Sequence, residues 1–123
     1  MPVTVVAVED NAFLRSLIVT LLEDEFVDVA DFESADDALI YLREHASHVA
    51  ALFTDINLPG KLDGLGLASI AAREWPHISL LVTSADVPKP WISLPPNAGF
   101  ALKPWRPREV LAFVLEASTA VRH

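Results

Sequence analysis

This 123-residue chain carries 17 acidic residues against nine basic ones, a net charge of −8, which argues against a nucleic-acid reader, whose phosphate contacts need a basic surface. An apolar fraction of 52% with 21% charged residues belongs to a globular protein, and the length predicts one domain over residues 1–123. The absence of cysteine excludes disulfides, thiolate metal sites and thiol nucleophiles; with no run near the roughly 20 apolar residues of a membrane span and no basic signal-peptide flank, the expectation is a cytoplasmic protein that does not engage a membrane.

The β-branched apolar run Val3 to Val8 predicts a strand buried on both faces of a parallel sheet. Leu14, Leu17, Ile18 and Leu21 then recur at helical spacing, and Asn11 is placed to cap a helix running to about Glu23. Val27 to Phe32 reads as a second, weaker strand. Ser34 caps a helix whose Ala35, Ala38, Leu39 and Leu42 share one face and which ends near His45. Val49 to Thr54 is a third strand, Leu67 to Arg73 the heart of a third helix, and Ile78 to Val82 a fourth strand closed by a polar cluster. Phe100 to Leu102 reads as a fifth strand, and Val110, Phe113, Val114, Ala117 and Val121 mark a last helix that accepts Pro107 in its first turn. Strands alternating with helices imply right-handed crossovers and a parallel sheet covered on both faces, a doubly wound α/β domain without internal repeat or linker.

In such a sheet ligands bind beyond the carboxyl ends of the strands. There the first strand offers Glu9 and Asp10, the third Asp55, the fourth Thr83 and Ser84, and the fifth Lys103 followed by Pro104. Three carboxylates brought together repel one another unless a cation compensates, and hard oxygen ligands suit Mg2+. Asp10, Asp55 and the backbone carbonyl of Asn57 are the candidate ligands. A carboxylate can also attack phosphorus, provided that cationic and hydrogen-bonding groups neutralise the charge on the equatorial oxygens, and Lys103 and Thr83 could supply them.

Glu9-Asp10, the run Thr54-Asp55-Ile56-Asn57-Leu58-Pro59, Thr83-Ser84-Ala85 and Lys103-Pro104, in this order at matching strand ends, resemble a response regulator receiver domain over the whole chain. The resemblance implies the flavodoxin-like receiver fold, a five-stranded parallel sheet of order 2-1-3-4-5. It implies that Asp55 accepts a phosphoryl group from the phosphohistidine of a sensor kinase or histidine phosphotransfer protein, with Mg2+ on Asp10, Asp55 and the Asn57 carbonyl. Glu9 would act through a metal-bound water, Lys103 would pair with the phosphoryl group, and Thr83 would move to hydrogen-bond it. Phe100 occupies the position of the family's aromatic switch. No catalysis is expected beyond self-phosphorylation and self-dephosphorylation at Asp55.

Each residue also has a plainer reading. Glu9 and Asp10 could open a loop and cap a helix, Asp55 could be a turn residue, Lys103 a solvated surface lysine, and Phe100 a simple core aromatic. Thr83 and Ser84 could cap a helix, but a proline-rich stretch follows them. The carboxylates and Lys103 gain their weight from the shared constellation. His45, His48, His77 and His123 share no spacing or carboxylate partner and receive no chemistry.

The loop from Ile56 to Leu62 is one residue longer than in the commonest receivers, and Gly60 is placed to absorb the insertion in a turn. Only 20 residues follow Lys103, so a stand-alone receiver is expected, signalling through a downstream protein partner or serving as a phosphate sink. A Mg2+-dependent aspartyl-phosphate phosphatase shares the Asp, Lys and metal logic but typically wants a second Asp where Asn57 stands. A flavodoxin-like flavin carrier would need a phosphate loop where Glu9 and Asp10 stand.

Residues 86–97 hold Pro88, Pro90, Pro95 and Pro96. Each removes a backbone donor and biases the preceding residue toward extended conformations, so the fourth helix of the resemblance is expected to be degenerate or absent. Trp91, Ile92 and Leu94 are apolar enough for some of them to pack over the sheet edge instead.

Overall fold

A computed structural model of the chain describes residues 3–23, 27–86, 89 and 92–122. Its strands are β1 (Thr4–Val8), β2 (Asp28–Phe32), β3 (Val49–Asp55), β4 (Ser79–Ser84) and β5 (Ala98–Leu102). The helices are α1 (Ala12–Glu23), α2 (Ala35–His45), α3 (Gly64–Glu74) and α4 (Pro107–Arg122), and a 3-10 turn, Ala46–His48, leads from α2 into β3. The strands form one parallel sheet in the order β2-β1-β3-β4-β5, as the resemblance implies.

β3 lies at the centre, and every one of its residues is buried. Side chains alternate between the two faces of a strand, so its near-continuous apolar run feeds two cores. On one face Phe53 and Ala51 pack with Val5 and Ala7 beneath Ile18 and Leu22 of α1 and Val110 and Val114 of α4. On the other, Leu52 packs with Val6 and Val8 beneath Ala38 and Leu42 of α2 and Leu67 and Ala71 of α3. The helix starts are capped as their sequences require. Asn11 Oδ1 accepts from the Leu14 N–H at 3.0 Å, Ser34 Oγ from Asp37 at 3.2 Å and Asp63 Oδ1 from Gly66 at 2.7 Å.

Several boundaries differ from the sequence-based expectation. β3 includes Asp55, β4 includes Thr83 and Ser84, and α3 begins at Gly64, because strand pairing and the Asp63 cap continue past the apolar runs. Of the helically spaced Leu14, Leu17, Ile18 and Leu21, only Ile18 is fully buried, together with Leu22, and Leu17 is 46% exposed. The helix sits on an edge of the sheet, so its inward face is narrower than the apolar stripe in its sequence.

Among the described residues from 86 to 97 there is no helix. Two backbone hydrogen bonds stand there, Ile92 N–H donating to the Lys89 carbonyl at 2.9 Å and Ala98 N–H to that of Pro95 at 3.0 Å. Leu94 packs with Phe100 against Ile56, Ala68 and Val82, so one of the expected apolar residues does cover the sheet. Ile92 is half-buried, and Trp91 lies outside the described residues. No helix among the described residues is long and apolar enough to cross a membrane.

Candidate functional site

The carboxyl ends of β1, β3, β4 and β5 converge on one set of polar side chains. Asp55 pairs in register with Thr83, and Thr83 with Ala101. Just beyond the ladder, Ile56 N–H donates to the Thr83 carbonyl at 2.9 Å and Lys103 N–H to that of Ser84 at 2.8 Å. Asp55, Thr83 and Lys103 therefore hang from backbone that the sheet holds rigid. The peptide bond between Lys103 and Pro104 is cis. The next residue, Trp105, stands edge-on to Phe53, with ring centroids 5.8 Å apart.

Lys103 is the hub. Its Nζ donates to Asp55 Oδ2 at 2.6 Å and to Glu9 Oε1 at 2.8 Å. The remaining oxygens take backbone donors: Asp55 Oδ1 accepts from Asn57 N–H at 3.0 Å, and Glu9 Oε2 from Asn11 N–H at 3.1 Å. Glu9 is 1% exposed and Asp55 5%, whereas Asp10 faces solvent. Burial pushes the Glu9 carboxyl above its ordinary value, and the lowering by Lys103 and the Asn11 N–H does not cancel this. Burial alone would depress the Lys103 ammonium, but its bonds and charge attraction to Asp55 and Glu9 outweigh that and hold it above the usual lysine value.

Carboxylate oxygens of Glu9, Asp10 and Asp55 lie within 4.8 Å of one another. One ammonium against three carboxylates leaves about two negative charges uncompensated, and Asp10 opens the cluster to solvent. Donor chemistry, charge and access fit a hard divalent cation such as Mg2+.

Two further features surround Asp55. Thr83 is fully buried, and its hydroxyl has no hydrogen-bond partner among the described residues. Leaving a buried hydroxyl unpaired costs free energy in this state and leaves a donor free for a group that enters the site. Gly64, at the start of α3, presses on the other side: its N–H donates to the Ile56 carbonyl at 2.9 Å, and an added Cβ would sit 1.6 Å from the Asp55 carbonyl oxygen. Phe100, opposite Val82 in the ladder, is half-buried beside Leu94.

Of the sequence-derived candidates, Glu9, Asp10, Asp55, Asn57, Thr83 and Lys103 gather here, while Phe100 sits nearby on the Leu94 side. Gly60 is in a turn at φ 108°, where the longer loop bends. His77 Nε2 is 2.8 Å from the Ala46 carbonyl and His45 is 3.7 Å from Glu44, a contact between exposed neighbours; His123 lies outside the described residues. Sequence reasoning gave Gly64 no role in the site and missed Arg15. Arg15 Nη1 donates to the Glu9 carbonyl at 2.9 Å, and its sequence signal is a lone cation one turn into the helix that follows the acidic pair.

The family model of the response regulator receiver domain matches residues 5–114, and the chain belongs to that family, the receiver domains of two-component signalling. No curated protein matches it by sequence. Among solved structures, a response regulator receiver protein from Sinorhizobium medicae is 23% identical with a TM-score of 0.86, the match covering 97% of this chain and 96% of that one. A receiver domain protein from Clostridium thermocellum is 18% identical with a TM-score of 0.85, covering 98% and 97%. The CheX–CheY complex with BeF3 and Mg2+ from Borrelia burgdorferi also matches, at 22% identity, a TM-score of 0.81 and coverage of 94% and 89%. At these identities the likeness shows the shared fold.

Proposed function

We propose that this receiver takes a phosphoryl group on Asp55 from the phosphohistidine of a sensor kinase or histidine phosphotransfer protein, and that the change alters its affinity for a downstream protein. The observation that carries this reading is the bridge from Lys103 to Asp55 and Glu9 inside the acidic cluster. It presents an anchored carboxylate to an electrophile with a cation already in place. The Asp55 oxygen forms the new O–P bond as the donor's P–N bond breaks, and that electron pair leaves on the imidazole nitrogen.

Asp10, Asp55 and the Asn57 carbonyl would hold Mg2+, with Glu9 acting through a water. When bound, the cation supplies positive charge against the phosphoryl oxygens, which otherwise meet three carboxylates. The Lys103 ammonium balances the charge gathered on Asp55, and the unpartnered Thr83 hydroxyl, on the neighbouring strand, is the donor that a phosphoryl oxygen would recruit.

Incubation with Mg2+ and acetyl phosphate, followed by intact-mass measurement and site mapping, tests the assignment. One phosphoryl group at Asp55, lost without divalent cation and in Asp55→Asn, is expected. Labelling that persists in Asp55→Asn would overturn it. Pull-downs with and without beryllofluoride test the output: equal recovery of partners in both states would favour a phosphate sink.

A further inference from the structure

One charged side chain outside these roles is wired into the acidic cluster through the backbone. Arg15, in the first turn of α1, donates from Nη1 to the Glu9 carbonyl at 2.9 Å, and its Nε lies 3.3 Å from Asp31 Oδ2 on β2. The acceptor matters. A peptide unit is planar, so the Glu9 carbonyl and the Asp10 nitrogen and Cα turn as one rigid plate. Whatever holds that oxygen fixes the position of the Asp10 Cα and so limits where its carboxylate can reach.

The plate is held from β2. Arg15 carries that hold: Asp31, opposite Ala7 in the ladder, lies against its guanidinium, while the preceding peptide is tied to the same strand by the Glu9 N–H, which donates to the Phe32 carbonyl at 3.0 Å. Asp10 is exposed, and its side chain meets that of the neighbouring Glu9. A planar guanidinium suits the task, because its donors diverge at fixed angles and can serve a carbonyl and a carboxylate together.

We propose that Arg15, held by Asp31, is a positioning residue for divalent-cation binding: it fixes the Glu9–Asp10 peptide so that the Asp10 carboxylate stays with those of Glu9 and Asp55. This rests on the reading above in which Asp10 is a cation ligand. Charge alone predicts something different. As a nearby positive charge Arg15 repels a cation, so its removal would tighten binding, and removal of the Asp31 charge would weaken it. Positioning makes both removals weaken binding.

The test is a titration of the folded protein with Mn2+ as a paramagnetic stand-in for Mg2+, reading free Mn2+ by electron paramagnetic resonance. Arg15→Ala is expected to weaken binding about tenfold, the usual scale for a group that orients a metal ligand. Arg15→Lys, which keeps the charge without the fork, and Asp31→Asn, which keeps the shape without the charge, should fall between it and the unaltered protein. The double variant Arg15→Ala with Asp31→Asn should bind no more weakly than Arg15→Ala alone, because Asp31 acts through Arg15. Melting without divalent cation identifies a variant that fails to fold, and the two conservative variants then carry the test. Binding as tight as or tighter than that of the unaltered protein in Arg15→Ala or Arg15→Lys overturns the proposal. Asp10→Asn separates the two readings: if it leaves Mn2+ affinity unchanged, the ligand assignment falls and the positioning role with it. If Asp10→Asn weakens binding while the Arg15 variants do not, the positioning role alone falls.

Discussion

Lys103 reaches across β4 to donate to Asp55 Oδ2 at 2.6 Å, joining residues 48 apart in sequence and two strands apart in the sheet. The same nitrogen binds Glu9, beyond β1, so a single cation ties the ends of three strands to one point.

Removing that cation leaves two buried carboxylates unpaired. Lys103→Met is therefore expected to lower stability by about 2 kcal/mol without divalent cation. Added Mg2+ should shrink the deficit by restoring positive charge to the cluster. Urea unfolding with and without Mg2+ measures both quantities, and an unchanged midpoint in the metal-free protein would contradict the role of hub.

Glu9 makes the opposite contribution. Its folded-state pKa is raised, so the stability linked to it is fully present below the unfolded-state value, near 4.3, and is lost as pH rises through the folded value. Above the folded value the ionised carboxylate opposes folding. Glu9→Gln should raise the metal-free melting temperature at pH 7, and this advantage should fade as the pH falls and Glu9 takes up its proton. Melting curves across that range decide it; a variant less stable than its parent at pH 7 would refute the sign.

Thr83→Val removes a buried hydroxyl that has no partner while keeping the shape of the side chain. The resting protein should gain up to about 1 kcal/mol. If Thr83 couples the site to its neighbouring strand and loop as proposed, amide exchange at Ile92 to Ala98 should slow on beryllofluoride binding in the parent and respond much less in the variant. Equal slowing in both proteins would remove Thr83 from the coupling.

Gly64→Ala places a methyl group against the Asp55 carbonyl, which is backbone and cannot swing aside. A loss of about 3 kcal/mol is expected, at the upper end for overpacking, together with impaired labelling of Asp55 by acetyl phosphate. Chemical unfolding and intact mass check the two effects. Near-parental behaviour in both would show that the start of α3 yields easily.

The sheet and most of its helices were legible because their signals are local. The apolar runs of β1 and β3 show burial on both faces, and Ser34 announces the start of α2 through its own side chain. The prolines between β4 and β5 argue against a helix there, since each removes a backbone donor whatever surrounds it, and the described residues of that stretch hold none. Leu17 misled for the complementary reason: helical spacing shows which residues share a face, but the width of the covered face depends on neighbouring elements.

The sequence by itself determined the fold class, the elements in their order and the polar residues at the strand ends, because side-chain period, capping and turn chemistry act over a few residues. Only the tertiary structure decided that Lys103 bridges Glu9 and Asp55, that the Thr83 hydroxyl has no partner, that Gly64 presses on Asp55, and that Arg15 grips the Glu9 carbonyl from a helix anchored to β2. Those relationships join residues on different strands and helices. Their distances are set by sheet register and by the packing of helices on the sheet, which no short stretch of sequence encodes.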